Sequence, residues 1–237
     1  VLQACPPVQI GGKNLKTSRE YPPSDPAAQT AGADAPRPAP QALRDFRHYP
    51  GWFTPDEQRT LVDEIRAVAA AAPFVTPVTR RGQPLSVRMT SAGRFGWIGD
   101  RRGYRYAETH PAGMGWPPIP PRLLDLWAAV APDARPPESC LINYYGEGAR
   151  MGLHQDRDEA DLSQPVVSVS LGDDALFRVG NVARGGSTES LWLRSGDVLV
   201  MGGPGRLRHH GVDRIAFGTS ALLAQGGRIN LTLRVVT

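Results

Sequence analysis

The chain has 237 residues, 41% apolar and 21% charged, with a formal net charge of +4. Those values suit one globular domain with a real core and exclude a disordered polyelectrolyte. No apolar run approaches the length of a membrane-spanning helix, so no membrane partner is expected. The two cysteines, Cys5 and Cys140, form no CxxC pair. A reducing, cytoplasmic setting is therefore expected, without disulfides or a cysteine zinc site.

Residues 1–43 form a Pro- and Ala-rich arm with almost no large apolar side chains. Such a segment cannot bury enough surface to offset its ordering entropy, so it is expected to be disordered or loosely packed. A sharper alternative has it touching nucleic acid through Lys13, Lys16 and Arg19. Residues 44–237 are expected to form the functional domain, with a lid over about 74–110.

Thr54, Pro55 and Glu57 have the spacing of a capping box with proline in the first turn. Leu61, Val62, Ile65, Val68 and Ala69 then recur at helical intervals until Pro73. A second helix is predicted from Pro121 to Val130, with Leu123, Leu124, Trp127 and Val130 as its apolar stripe. After Ser139 come short strand-like runs: Ser139 to Tyr145, Val166 to Leu171, Ala175 to Val179, Ser190 to Arg194, Asp197 to Met201 and Ile229 to Val236. Gly, Asp and Pro punctuate the gaps. The fold class expected is mainly β with flanking helices (α+β), as a sandwich or jelly roll braced by helices on one face.

In an extended segment residues two apart share a side, so His154 and Asp156 can converge on one point. An imidazole and a carboxylate suit a divalent transition metal, and a second histidine would complete a two-His, one-carboxylate triad with open positions. Of the five histidines, His209 and His210 follow a late strand and a glycine-rich turn. Spacing does not say which of these two faces the metal. From Arg228 to Arg234, Arg228, Asn230, Thr232 and Arg234 alternate with Ile229, Leu231 and Leu233. That polar face is either solvent-exposed or buried, and buried guanidinium groups would need an anion such as a dicarboxylate. Asn143 and Tyr145 share a face and offer an amide and a hydroxyl.

Taken in order, Leu141-Ile142-Asn143-Tyr144-Tyr145, Leu153-His154-Gln155-Asp156-Arg157-Asp158-Glu159, Val167-Ser168-Val169-Ser170-Leu171-Gly172 and Arg228-Ile229-Asn230-Leu231-Thr232-Leu233-Arg234 resemble the AlkB family of oxidative nucleic-acid demethylases. The resemblance runs from about Phe46 to Arg234. It implies a double-stranded β-helix core, Fe(II), 2-oxoglutarate as co-substrate and O₂. It also implies metal ligation and catalysis by His154, Asp156 and His210, choosing His210 over His209. Asn143, Tyr145, Arg228, Asn230 and Arg234 match the family's 2-oxoglutarate positions.

The same resemblance makes the stretch from Gly93 to Tyr106 a substrate lid. Its rings offer base stacking and its cations suit phosphates. Met89, Trp97, Tyr104, Arg105, Tyr106, Asp158 and Arg184 fall at substrate-binding positions. Met201 departs from the family pattern, which has an aromatic there. The implied activity is oxidative removal of N-methyl groups from bases of the 1-methyladenine and 3-methylcytosine type, releasing formaldehyde. The expected partner is methylated single-stranded DNA or RNA, with double-stranded DNA as a further candidate, bound by a monomer. The competing readings are a dioxygenase acting on a protein or small molecule, and a catalytically silent nucleic-acid-binding module.

Overall fold

Alternation on three neighbouring strands gives one sheet an apolar face and an opposite face that carries its polar residues among a few apolar ones. The computed structural model describes residues 36–237. Its strands are β1 (Gln41–Leu43), β2 (Phe46–Tyr49), β3 (Val87–Gly93), β4 (Gly96–Asp100), β5 (Gly103–Ala107), β6 (Ser139–Tyr145), β7 (Met151–His154), β8 (Val166–Gly172), β9 (Asp174–Val179), β10 (Glu189–Leu193), β11 (Val198–Met201), β12 (His210–Ala216) and β13 (Arg228–Arg234). Two helices, α1 (Pro55–Ala71) and α2 (Pro121–Val130), precede β6.

The larger sheet runs β1-β2-β11-β8-β13-β6-β3, the smaller β10-β9-β12-β7, and β4 and β5 form a separate hairpin. At the centre of the large sheet, Leu231 of β13 pairs with Val169 of β8 and Ile142 of β6. Those three side chains, with Ile229, Leu233, Val167, Leu171 and Cys140, point to one face and pack against Leu61, Ile65, Leu123 and Trp127 of the helices. The opposite face meets the small sheet, where Leu141, Val166, Leu199 and Met201 pack with Ala175, Phe177, Val179 and Val212. This is a jelly roll braced by helices on one side, as expected. Among the described residues no helix is long and apolar enough to cross a membrane.

Both helices form where predicted, and the Thr54–Glu57 capping box is made in both directions. The apolar stripe of α2 differs from expectation: Leu124 is 41% exposed and Leu126 takes the buried position. Residues 41–43 were expected to belong to the loose arm. They pair with β2 instead, and Leu43 is buried. Arg37 is also tied down, bonding the Trp52 carbonyl and both carboxylate oxygens of Glu57. The rest of that arm, with Lys13, Lys16 and Arg19, lies outside the described residues. Within the span predicted as lid, β3 is a strand of the large sheet, paired along its length with β6. Strand β12 had no alternating signal because its register shifts between Val212 and Arg214, which breaks the period of two.

The entry to β13 is fixed by one buried carboxylate. Asp173 accepts hydrogen bonds from the backbone N–H groups of Gly218, Ser220 and Gly227 at 3.0, 2.9 and 2.7 Å. It thereby anchors the 217–227 loop that delivers Arg228. We expect Asp173→Ala to lower stability by about 3 kcal/mol, since three N–H groups, that of Gly227 buried and the other two partly so, lose a charged acceptor. Equilibrium denaturation measures this, and a loss under about 1 kcal/mol would contradict it.

Candidate active site

His154 ends β7 and His210 begins β12, and the two are direct cross-strand partners. Their ring centroids are 4.7 Å apart. Close approach of the strands depends on Gly211, where a Cβ would come within 2.5 Å of the Met151 carbonyl oxygen. Asp156, two residues past His154, brings Oδ1 to 3.7 Å from His154 Nε2 and Oδ2 to 3.8 Å from His210 Nε2. One ligand atom from each of the three residues falls within 4.8 Å of the others. That donor set fits a divalent transition metal held on one face.

The tautomers suit the same purpose. His154 Nδ1 lies 2.9 Å from the Gly152 carbonyl and His210 Nδ1 3.0 Å from the Arg208 carbonyl. A carbonyl only accepts, so each Nδ1 carries the proton and each Nε2 presents its lone pair inward. Burial pushes the His210 pKa down to about 4, which keeps that ring neutral. Burial alone would raise the pKa of Asp156, but Arg234 and the two imidazoles outweigh it and hold the carboxyl well below its ordinary value. His209, by contrast, turns away and bonds the Asn181 carbonyl through Nδ1 at 3.0 Å.

The polar face of β13 is buried: Arg228 is 1% exposed and Arg234 6%. Arg228 Nη2 donates to Ser170 Oγ at 2.8 Å, while its Nε and Nη1 have no hydrogen-bond partner. Arg234 Nη2 lies 3.0 Å from Asp156 Oδ2, and its Nη1 is likewise unpartnered. Asn143 Nδ2 donates to Asn230 Oδ1 at 3.4 Å, and Asn143 Oδ1 is left free. Burial pushes the Tyr145 hydroxyl up to about 12, so it remains a donor. Buried guanidinium N–H groups without acceptors fit a dicarboxylate beside the metal position.

A cavity of about 440 Å³ joins these parts, lined by the triad, Asn143, Tyr145, Arg228, Asn230 and Arg234. Trp97, Tyr104, Tyr106, Asp158 and the buried Met89 line it as well, with Tyr104 exposed at its mouth. Trp97 stacks on Tyr104 with centroids 4.9 Å apart, and its Nε1–H donates to Asp158 at 2.8 Å. Two predicted substrate residues do not line this cavity. Arg105 lies between Tyr104 and Tyr106 on β5, so it points to the other side of the hairpin and pairs with Asp100. Arg184 is exposed in the loop between β9 and β10.

Sequence reasoning missed Glu159 and Arg206. Glu159 accepts from Tyr106 Oη at 2.6 Å and from Arg206 at 2.9 Å, and lies 3.2 Å from Arg234 Nε. Arg206 also donates to the Asp156 carbonyl at 2.7 Å. Nothing periodic marks Arg206 inside its glycine-rich turn. Ser168, which also lines the cavity, could have been found, because Ser168 and Ser170 alternate with Val167, Val169 and Leu171 as the polar residues of β13 do.

Residues 45–234 match the family model described as the 2OG-Fe(II) oxygenase superfamily. A Caulobacter vibrioides protein named alpha-ketoglutarate-dependent dioxygenase AlkB homolog is 55% identical over 190 residues, covering 80% of this chain and 86% of that protein. The solved structure of OsALKBH1 superposes with a TM-score of 0.70 at 32% identity, covering 82% of this chain and 100% of the other. An Arabidopsis thaliana protein named DNA N(6)-methyladenine demethylase ALKBH1C is 44% identical over 108 residues, 41% of this chain and 24% of that one. Fold and family match together define a dioxygenase that uses Fe(II), 2-oxoglutarate and O₂. The chain belongs to the 2OG-Fe(II) oxygenase superfamily and, within it, to the AlkB family.

Two outcomes test the assignments of metal and anion. Cobalt(II), as a spectroscopic substitute, should give ligand-field bands with the wild type and with His209→Ala but not with His210→Ala. Equal bands from all three would remove His210 from the metal set. Arg228→Ala should weaken 2-oxoglutarate binding by at least about 30-fold, since truncating one side of a buried charge pair costs 2–5 kcal/mol. Calorimetry with metal-loaded protein measures this, and unchanged affinity would show that the anion sits elsewhere.

Proposed function

We propose that the chain oxidatively demethylates N-alkylated bases, of the 1-methyladenine and 3-methylcytosine type, in single-stranded DNA or RNA. The observation that carries this reading is the cavity itself: metal-ligating and anion-binding groups lie at its floor and paired aromatic rings at its mouth. The name of the Arabidopsis relative, a DNA N(6)-methyladenine demethylase, supports a nucleic-acid substrate and dealkylation.

When bound, Fe(II) with 2-oxoglutarate and O₂ supplies an oxygen atom to a C–H bond, and 2-oxoglutarate leaves as succinate and CO₂. The residues of the chain do the rest. His154, Asp156 and His210 would hold the metal. Arg228 and Arg234 take the two carboxylate ends of the co-substrate, with Asn143, Tyr145 and Asn230 between them. The buried floor admits a methyl group only from a base turned out of its stack. Trp97 and Tyr104 offer it ring faces, and Asp158 favours a base that carries positive charge. Hydroxylation of the N-methyl group then lets formaldehyde depart and restores the base.

Incubation with Fe(II), 2-oxoglutarate and a single-stranded oligonucleotide containing 1-methyladenine should convert it to adenine with one formaldehyde per methyl group lost. Consumption of 2-oxoglutarate on a protein or metabolite, with no methyl loss from any methylated oligonucleotide, would overturn the reading. Trp97→Ala should raise KM for the oligonucleotide by about tenfold, as a stacked base contributes 1–3 kcal/mol. Its 2-oxoglutarate affinity should not change. An unaltered KM would take Trp97 out of base contact.

A further inference from the structure

Among the described residues Arg44 alone has a positive φ without being glycine, at 52°. It opens the two-residue turn Arg44–Asp45 between β1 and β2, whose flanking residues Leu43 and Phe46 pair directly. Glycine is the ordinary occupant of a left-handed position in such a turn, because a Cβ there crowds the backbone. An arginine persists at that place only where contacts of its side chain offset the strain, and such outliers gather around functional sites. The hairpin itself does not depend on the arginine, since β2 is fastened to β11 from Phe46 to Tyr49.

Both side chains of the turn lead behind the metal position. Arg44 Nη1 donates to Asn181 Oδ1 at 3.0 Å and Nη2 to the Ser187 carbonyl at 3.2 Å, while Nε lies 3.6 Å from Glu189. These contacts grip both ends of the loop between β9 and β10. Asn181 in turn offers its carbonyl to the backbone N–H and to Nδ1 of His209, at 3.1 and 3.0 Å, beside His210. The next carbonyl, of Val182, accepts from Gln155 Nε2 at 3.0 Å, and Gln155 stands between His154 and Asp156. Gln155 also donates to the Leu207 carbonyl. Asp45, the second residue of the turn, accepts from Arg208 Nε at 2.6 Å. Arg208 donates to the Gly180 carbonyl at 3.2 Å, and its own carbonyl takes the Nδ1–H of His210.

The chain neighbours of all three ligands are thus tied to one loop, and that loop and Arg208 are tied to one turn. Partners outside a metal's ligands set the direction of those ligands and tune their affinity. We propose that the Arg44–Asp45 turn is an outer brace of the metal site. Arg44 and Asp45 are positioning residues that hold the 180–187 loop and the 207–210 segment where His154, Asp156 and His210 converge. The brace links the edge of the large sheet to β7 and β12 of the small one. It rests on the assignment of the metal to those three residues and is independent of the substrate.

Ligand-field bands followed during cobalt(II) titration give the metal affinity, and denaturation of the metal-free protein gives its stability. Arg44→Gly loses the side-chain contacts but relieves the left-handed strain, so the metal-free variant should keep its denaturant midpoint. Its cobalt(II) Kd should nonetheless rise about tenfold, the lower end of the loss when a partner outside the ligands is removed. Arg44→Lys, which keeps one donor, should recover part of that affinity. Asp45→Asn, which keeps an acceptor for Arg208, should cost less affinity than Asp45→Ala. A side chain that merely supports the fold would lower midpoint and affinity together, and that result would overturn the brace. Wild-type bands with an unaltered Kd in Arg44→Gly would overturn the brace and leave the metal assignment standing. Absence of bands in the wild type would remove the metal from the triad, and the brace with it.

Discussion

Two permanently charged guanidinium groups sit in the space between two sheets, and the surrounding structure is arranged to make that tolerable. Burial of an ion in a low-dielectric interior costs several kcal/mol unless partners replace its water. Arg234 has such partners in Asp156 and Glu159. Arg228 has Ser170 and the face of the Tyr145 ring, and Asp197 and Asp174 are the carboxylates that act on its charge. Asp156 and Glu159 also take hydrogen bonds from a third buried guanidinium, Arg206, through the Asp156 carbonyl and the Glu159 carboxylate. A divalent cation and a dicarboxylate entering together leave the charge of this interior unchanged, whereas the cation alone raises it. Metal and co-substrate sites are electrostatically complementary for this reason, beyond their shared walls.

The lid is joined to this charged interior through a short run of hydrogen bonds. Tyr106 reaches Glu159, which meets both Arg206 and Arg234, and each of these arginines meets Asp156. Trp97 makes a parallel link to Asp158. The strand that covers the pocket and the carboxylate at its floor thus share partners. A displacement of Tyr106 leaves a buried carboxylate with one donor fewer, so lid position and the setting of Asp156 are not independent.

Much of this was legible in the residues. The capping box at Thr54, the strand from Ser139 to Tyr145 and the alternation of β13 follow from local rules that the tertiary structure leaves intact. The face of β13 could not be assigned from its own pattern, because a polar side reads the same whether it meets water or a buried anion. Burial of Arg228 and Arg234 decides it. Spacing left His209 and His210 open and the resemblance chose His210. The physical reason is the pairing of β12 with β7, a contact between distant segments that a bulge hides from periodicity. Glu159 and Arg206 escaped for a similar reason. Their importance lies in one another, across 47 residues of chain.

The stack of Trp97 on Tyr104 has a consequence for selectivity. On the proposed function, a base that inserts between these two rings would separate one aromatic pair and form another. For a neutral base the exchange gains little, because a ring contact of about 1 kcal/mol replaces another of the same kind. A base made cationic by methylation adds attraction to the ring faces and to Asp158, which the neutral base lacks. On that proposal, the Trp97–Tyr104 pair competes with undamaged bases for the mouth of the pocket, and discrimination begins before any bond is oxidised.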